Sequence, residues 1–234
     1  MNWLERTELL LGKEKLERIK KSSILIVGLG GVGAYAAEMI CRAGAGTITI
    51  ADSDSVESTN RNRQLTALVS TEGKLKTDIL SRRLLDINPE LNLNVTADFI
   101  RDEKAEGLLD SHNFDYVVDA IDTLSPKVFL IAHSLKRGIK VVSSMGSGGK
   151  VDPAKVKIAD ISGSYNCKLA RMVRKRLSRL GIKNGFKVVF SPEDTPGSAV
   201  RPEEGQNKKS VVGSISYLPA VFGCFMASVV INDI

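Results

Sequence analysis

The chain has 234 residues, 43% of them hydrophobic and 26% charged, enough for one substantial core at the charge content of an ordinary soluble protein. No apolar stretch reaches the roughly 18 residues of a membrane span, the charged N-terminal segment does not read as a signal peptide, and the scattered cysteines Cys41, Cys167 and Cys224 argue against a disulfide framework and suit a reducing cytoplasm. A formal net charge of +6 weakly favours an anionic partner.

Residues 3–20 place apolar and charged residues at helical spacing and predict an N-terminal helix. Ser23-Ile24-Leu25-Ile26-Val27 is a short β-branched run bounded by glycine, as a buried parallel strand is. Residues 32–43 put Val32, Ala36, Met39, Ile40 and Ala43 on one helical face, and Thr47 to Ala51 reads as a second strand. The alternation continues with a helix from Lys76 to Ile87 and strands from Leu93 to Ala97 and from Tyr116 to Asp119. A helix from Pro126 to Arg137 and a strand from Val141 to Ser144 complete it. Such alternation predicts an α/β fold with a Rossmann-like, mainly parallel sheet flanked by helices.

Beyond Gly149 the pattern changes into a C-terminal extension of strands and helices. A strand is expected over Val156 to Ala159, a helix over Cys167 to Leu180 and a strand over Lys187 to Phe190. Residues 191–210, rich in Pro, Gly, Glu and Lys, read as a mobile loop. A final apolar helix covers 216–231; it contains Pro219 and reads as buried, and the chain stops within this segment, as a truncated chain would. Residues 1–150 and the extension 151–234 are expected to form one domain.

Gly28-Leu29-Gly30-Gly31-Val32-Gly33 fits G-x-G-x-x-G between a predicted strand and helix. Gly28, Gly30, Gly31 and Gly33 let backbone amides approach a phosphate, and the helix N-terminus adds its positive dipole end. Asp52 ends the second strand, where a carboxylate accepts hydrogen bonds from ribose hydroxyls. These features alone suit a NAD-binding module as well. The next segment argues otherwise: it carries Asp54, Asn60, Arg63, Gln64 and Lys76, and Asp122 follows the strand from Tyr116 to Asp119. Arg63 and Lys76 are suited to neutralise phosphate oxygens and Asp122 to hold Mg²⁺, which an ATP-cleaving site needs and a hydride-transfer site does not.

These residues resemble the ubiquitin-activating-enzyme-like superfamily that includes ThiF and MoeB. The resemblance is carried by Gly28 to Gly33, Asp52-Ser53-Asp54, Asn60-Arg61-Asn62-Arg63-Gln64, Lys76 and Asp119-Ala120-Ile121-Asp122. It implies ATP-dependent adenylation of a carboxylate, with ribose on the first acid, ATP phosphates on the Asn, Arg and Lys, and Mg²⁺ on Asp122. Arg6, ahead of Leu10-Leu11-Gly12, looks like the family's N-terminal arginine, which reaches the partner's ATP in a homodimer. A closer resemblance, covering nearly the whole chain, is to the branch that dehydrates threonylcarbamoyladenosine in tRNA. It rests on Ala120-Ile121-Asp122, Pro126-Lys127, Gly148-Gly149 with Asp152-Pro153, and Val189-Phe190-Ser191. That branch implies tRNA as partner and leaves room for sulfur-transfer partner proteins.

The paired CxxC motifs of many sulfur-carrier-activating members are missing, so no zinc is expected. No cysteine occurs in 168–223, where a crossover-loop nucleophile would sit. Cys167 reads as a small packed thiol before a helix. The helix over 168–180 presents Lys168, Arg171, Arg174, Lys175, Ser178 and Arg179 on one face and Leu169, Met172, Val173, Leu177 and Leu180 on the other. Arg171, Arg174 and Lys175 are candidate contacts to tRNA phosphates. The rival readings are adenylation of a ubiquitin-like sulfur carrier and a redox or non-catalytic NAD-binding module.

Overall fold

The computed structural model describes residues 2–98, 100, 103–202 and 210–234. Two short helices open it, α1 (Glu5–Leu11) and α2 (Lys13–Lys21). The single N-terminal helix read from the sequence is broken because Gly12 sits at φ 81°, in the left-handed region. Its N–H closes α1 on Glu8 O while its carbonyl accepts from Leu16 N to start α2.

The central elements follow as β1 (Ser23–Val27), α3 (Gly33–Arg42), β2 (Thr47–Ala51), α4 (Lys76–Ile87) and β3 (Asn92–Thr96). Next come α5 (Glu103–Asp110), β4 (Tyr116–Asp119), α6 (Leu124–Lys136) and β5 (Lys140–Ser144). The extension adds β6 (Lys157–Asp160), α7 (Lys168–Ser178), β7 (Lys187–Phe190), β8 (Val200–Pro202), β9 (Ser210–Val212) and α8 (Tyr217–Asp233). Helix α5 has no counterpart in the sequence reading: Glu103-Lys104-Ala105-Glu106 carries little apolar signal, and only Ala105, Leu108 and Leu109 are buried.

Seven strands form one sheet in the order β3-β2-β1-β4-β5-β7-β6. All pairs are parallel except β6 with β7. The chain winds outward from β1 through β2 to β3, then returns to place β4 on the other side of β1. The crevice between β1 and β4 is therefore the topological switch point, where open α/β sheets bind ligands at the carboxyl ends of their strands.

Alternate residues of the buried strands feed two apolar layers. Ile24, Ile26, Tyr116 and Val118 face α3 and α8; Leu25, Val27 and Val117 face α5, α6 and α7. Helix α8 crosses α3 so closely that a Cβ at Gly223 would lie 2.5 Å from Val32 O, which requires glycine. Its C-terminal end is tied down by two lysines and a tyrosine: Lys187 Nζ donates to Asp233 Oδ1 at 2.6 Å, Tyr116 Oη to Asp233 Oδ2 at 2.9 Å, and Lys140 Nζ to Asp233 O at 2.8 Å. Among the described residues no helix is long and apolar enough to cross a membrane.

Within residues 191–202 of the segment 191–210 the structure departs from the loop that composition suggests. It carries a 3-10 turn at Gly197–Ala199 and strand β8, which pairs antiparallel with β9. Residues 203–209 of that segment lie outside the described residues. The hairpin is joined to the loop after β5 by Gly149 N donating to Gly213 O at 2.7 Å.

Candidate functional site

Strand β1 ends on Gly28, whose φ of 90° turns the chain toward α3, and a Cβ there would lie 2.8 Å from Ala120 O. At Gly33 a Cβ would meet Gly28 O at 1.8 Å, so the first turn of α3 closes directly on the end of β1. Residue Val32 gives α3 no side-chain cap, leaving its N-terminal amides for an anion. The turn thus offers backbone amides, with no side chain in the way, to an anion.

Asp52 braces this turn. Its Oδ2 accepts from Leu29 N at 2.5 Å and its Oδ1 from Asp54 N at 2.8 Å. Burial pushes the Asp52 carboxyl above its ordinary value; the Lys76 charge and the two backbone hydrogen bonds pull the other way without cancelling it. Asp54 continues the chain of contacts: Lys76 Nζ donates to Asp54 Oδ2 at 2.7 Å. The Lys76 side chain is 5% exposed and that of Asp54 65%, so the lysine rises from within the fold to a carboxylate at the surface.

On the other flank a Cβ at Gly31 would lie 3.3 Å from Arg63 O and 3.4 Å from Arg63 Cγ, and one at Gly30 3.7 Å from Gln64 Nε2. Asn60 is buried and its Oδ1 accepts from Glu57 N at 3.2 Å, which folds the turn that delivers Arg63. Arg63 Nη1 donates to Thr59 O at 3.0 Å and to Asn62 Oδ1 at 2.8 Å, which holds the guanidinium with no carboxylate on it among the described residues. Among the described residues, buried Gln64 Oε1, Thr66 Oγ1 and Thr77 Oγ1 accept no hydrogen bond.

Across the switch point, β4 delivers Asp119 and the exposed Asp122. Asp119 is fully buried and paired with an equally buried Lys127. Lys127 Nζ donates to Asp119 Oδ2 at 2.6 Å, to Ser143 Oγ at 3.0 Å and to Ser144 O at 2.9 Å. Ser143 Oγ donates to Asp119 Oδ2 at 2.6 Å, and Asp119 Oδ1 accepts from Ile121 N at 3.1 Å. This network joins β4, β5 and α6 beneath the turn that carries Asp122. The sequence reading used Lys127 only as a point of resemblance. The one signal of its role was a lysine beside the apolar face of Val128, Leu130 and Ile131.

The structure therefore gathers Gly28, Gly30, Gly31, Gly33, Asp52, Asp54, Asn60, Arg63, Gln64 and Lys76 around one turn, with Asp122 on the neighbouring strand's exit. Arg6 stands apart. It is exposed on α1, and Leu4 beside it packs against Gly44, past the C-terminal end of α3, whereas the glycine turn lies at the N-terminal end. Ten residues of α-helix separate those ends by about 15 Å.

Helix α7 needs a correction. Its buried residues are Ala170, Val173 and Leu177, whereas Met172 and Leu180, assigned to the docking face, are exposed. Arg174 is half-buried and donates through Nη1 to Ser164 O at 2.7 Å and to Ser164 Oγ, which commits it to the turn before the helix. Lys168, Arg171, Lys175 and Arg179 are exposed. Arg176, outside the predicted basic face, donates to Ser125 Oγ at 2.7 Å in the first turn of α6. Cys41 and Cys167 are buried, and burial pushes the Cys41 thiol up to about 11. His133 stacks on Phe129 at 3.9 Å, away from the glycine turn's neighbours.

The model of the ThiF family matches residues 4–234. The tRNA threonylcarbamoyladenosine dehydratase of Bacillus subtilis (strain 168) is 40% identical over 242 residues, covering 100% of this chain and 95% of that protein. The crystal structure of E. coli tRNA N6-threonylcarbamoyladenosine dehydratase in complex with ATP superposes with a TM-score of 0.88 at 32% identity, covering 97% of this chain and 91% of that one. The same E. coli protein in complex with AMP gives a TM-score of 0.87 at 32% identity, covering 97% and 92%.

Proposed function

This chain belongs to the ThiF family, and from that premise we propose that it adenylates a carboxylate with ATP, the carboxylate being the threonyl group of threonylcarbamoyladenosine in tRNA, which it cyclises with loss of water. The observation that carries the reading is the glycine turn flanked by Asp52, Arg63 and Lys76, in a fold that matches an ATP-bound relative over 97% of the chain. Asp52 holds the ribose and the α3 N-terminus takes the phosphates. Arg63 and Lys76 offset the charge that grows on the polyphosphate as it leaves. Lys76 must exchange Asp54 for a phosphate oxygen, a small motion because Asp54 is already in water.

The first step needs no general base, since the attacking carboxylate is already ionised. One of its oxygens bonds to the α-phosphorus, the bond to the bridging oxygen breaks, and pyrophosphate leaves. A nucleophile within the modified base then attacks the acyl carbon and AMP departs, so the substrate loses the elements of water and ATP takes them up. Catalysis is positioning and charge stabilisation.

Mg²⁺ uses one or two carboxylates plus phosphate oxygens, and Asp122 is the carboxylate suited to hold it; among the described residues no cluster of three or more ligating side chains competes for another metal. Bound there, the ion neutralises polyphosphate charge. Arg6 serves the nucleotide of a partner copy, since its own site is out of reach, and the working form is a homodimer in the cytoplasm. The exposed cations of α7 meet tRNA phosphates.

The test is mass spectrometry of threonylcarbamoyl-modified tRNA after incubation with the protein and ATP. A loss of one water that requires ATP supports the reading. Unchanged tRNA, with pyrophosphate exchange that depends instead on a carrier protein ending in Gly-Gly, overturns it, as does preference for NAD over ATP–Mg²⁺ in thermal shift.

A further inference from the structure

Three lysines are buried among the described residues, and two have partners: Lys76 has Asp54, and Lys127 has Asp119. The third is Lys150, 5% exposed, whose ammonium makes no hydrogen bond or ion pair among the described residues. The ammonium is not among the fully enclosed polar atoms that lack a partner, so water reaches it and an anion can replace that water.

The loop that carries Lys150 is held firmly. Gly149 adopts φ 70°, where a Cβ would lie 2.2 Å from Thr195 Cγ2. Glu193 accepts from Val151 N at 2.8 Å and from Asp152 N at 2.9 Å, and Tyr217 Oη donates to Val151 O at 2.8 Å. Those bonds also spend the nearby carboxylates: Glu193 caps backbone amides, and Asp152 takes Ala154 N at 2.9 Å and the Lys155 ammonium at 3.5 Å. Lys150 is thus fixed on a rigid loop whose own acids are committed elsewhere.

Its place in the sheet indicates the anion. Lys150 follows β5, at the carboxyl edge shared with the nucleotide site. Along the strand order the ribose acid stands on β2, the glycine turn on β1 and Asp122 on β4. The next strand is β5, about 10 Å from β1 at the usual strand spacing. The phosphates already have the turn, Arg63 and Lys76 on the β1 and β2 side. What lacks a cation is the group that approaches from the β5 side.

We propose that Lys150 binds the carboxylate of the acyl substrate, ahead of its attack on the α-phosphorus. This rests on the adenylation reading above. The carboxylate loses its charge once it becomes the acyl adenylate, so the contact is made mainly in the ground state. Its removal acts on KM more than on kcat.

The experiment compares wild type, Lys150→Met and Lys150→Arg, using threonylcarbamoyl-modified tRNA, unmodified tRNA and ATP–Mg²⁺. The expected result for Lys150→Met is a rise in KM for modified tRNA of roughly 30-fold or more. Affinity for ATP and for unmodified tRNA should stay within about twofold, with Tm within about 2 °C of wild type because the ammonium has no protein partner among the described residues to lose. Lys150→Arg should recover part of the loss. An unchanged KM overturns the assignment, and a Tm lower by more than about 4 °C makes Lys150 a structural cation instead. Weaker ATP binding makes it a phosphate ligand, and an equal loss for unmodified tRNA makes it an RNA-backbone contact; either overturns the proposal. If wild type itself leaves modified tRNA unchanged, the adenylation reading fails and the Lys150 assignment falls with it. An unimpaired variant beside an active wild type refutes the assignment alone.

Discussion

The ion pair beneath the Asp122 turn offers the sharpest test of how this site is held. In Lys127→Met the side chain keeps its length and loses its ammonium. Three contacts disappear, to Asp119 Oδ2, Ser143 Oγ and Ser144 O. Asp119 then remains fully buried with only Ser143 Oγ and Ile121 N to support its charge. Removing one partner of a buried pair costs about 3–5 kcal/mol, because the other charge is left uncompensated. For a chain of this size that corresponds to a fall in Tm of about 6–20 °C.

Urea unfolding is the assay, with the midpoint reporting stability and an unchanged slope showing that the same surface is exposed. The second arm is Lys127→Met with Asp119→Asn. The amide carries no charge and keeps an acceptor for Ile121 N, so the double variant should be more stable than additivity implies by about 2 kcal/mol. A cost below about 1 kcal/mol for the single variant would refute the reasoning, as would additivity within about 0.5 kcal/mol.

Asp122→Ala should abolish ATP-dependent turnover while leaving Tm within about 2 °C, because its side chain is exposed; retained turnover removes its assigned role. Replacing Lys168, Arg171 and Lys175 together by Glu should weaken tRNA binding and flatten its salt dependence, by about 0.9 in log–log slope per lost phosphate contact; unchanged affinity at low salt discards that surface. Arg174→Glu should instead lower Tm, since Arg174 is bound to Ser164; normal stability with weak tRNA binding would reverse that division. Burial raises the Asp233 carboxyl, but hydrogen bonds from Lys187 and Tyr116 outweigh it and leave it below its ordinary value. Its contribution is therefore complete above the unfolded value near about pH 4 and lost as pH falls through the folded one. Lys187→Met should cost about 1 kcal/mol or less at neutral pH, as the lysine is 46% exposed, and the difference from wild type should shrink below that pH; a constant difference measured by unfolding at several pH values contradicts the assignment.

The glycine turn and the acid that braces it were legible because their placement is local. A glycine turn between strand and helix, and an acid at the next strand end, announce themselves through spacing alone, and Asp52 does reach back to Leu29 N. The parallel strands were legible for the same reason, as short buried runs such as Ile24 to Val27. What stayed hidden is decided by partners far away in the chain. Gly12 looks like any residue of an amphipathic helix until its φ is known. The hairpin of β8 and β9 lay in a stretch whose Pro, Gly and charge suggest only a loop. Arg174 shares its helical face with Arg171 and Lys175, yet it is bonded to Ser164 ten residues earlier. Neither composition nor period distinguishes a lysine in water from Lys127, which closes a network with Asp119 and Ser143.

The three buried lysines show how the fold separates binding from reaction along one edge. Lys127 is locked between two strands and a helix, so its charge serves geometry: it fixes the turn from which Asp122 extends. Lys76 is held by an exposed carboxylate that water can replace, so its charge is available to a phosphate at little cost. Lys150 has no ion-pair partner among the described residues, so its charge is open to an incoming anion. Their places along the edge, from the β2 side through β4 to the β5 side, match the sides proposed for the leaving polyphosphate, the Asp122 turn and the incoming acyl group. Exchanging any two of these environments would break the chemistry even with every residue type kept, because a lysine's burial and partner, rather than its identity, decide which of the three tasks it can perform.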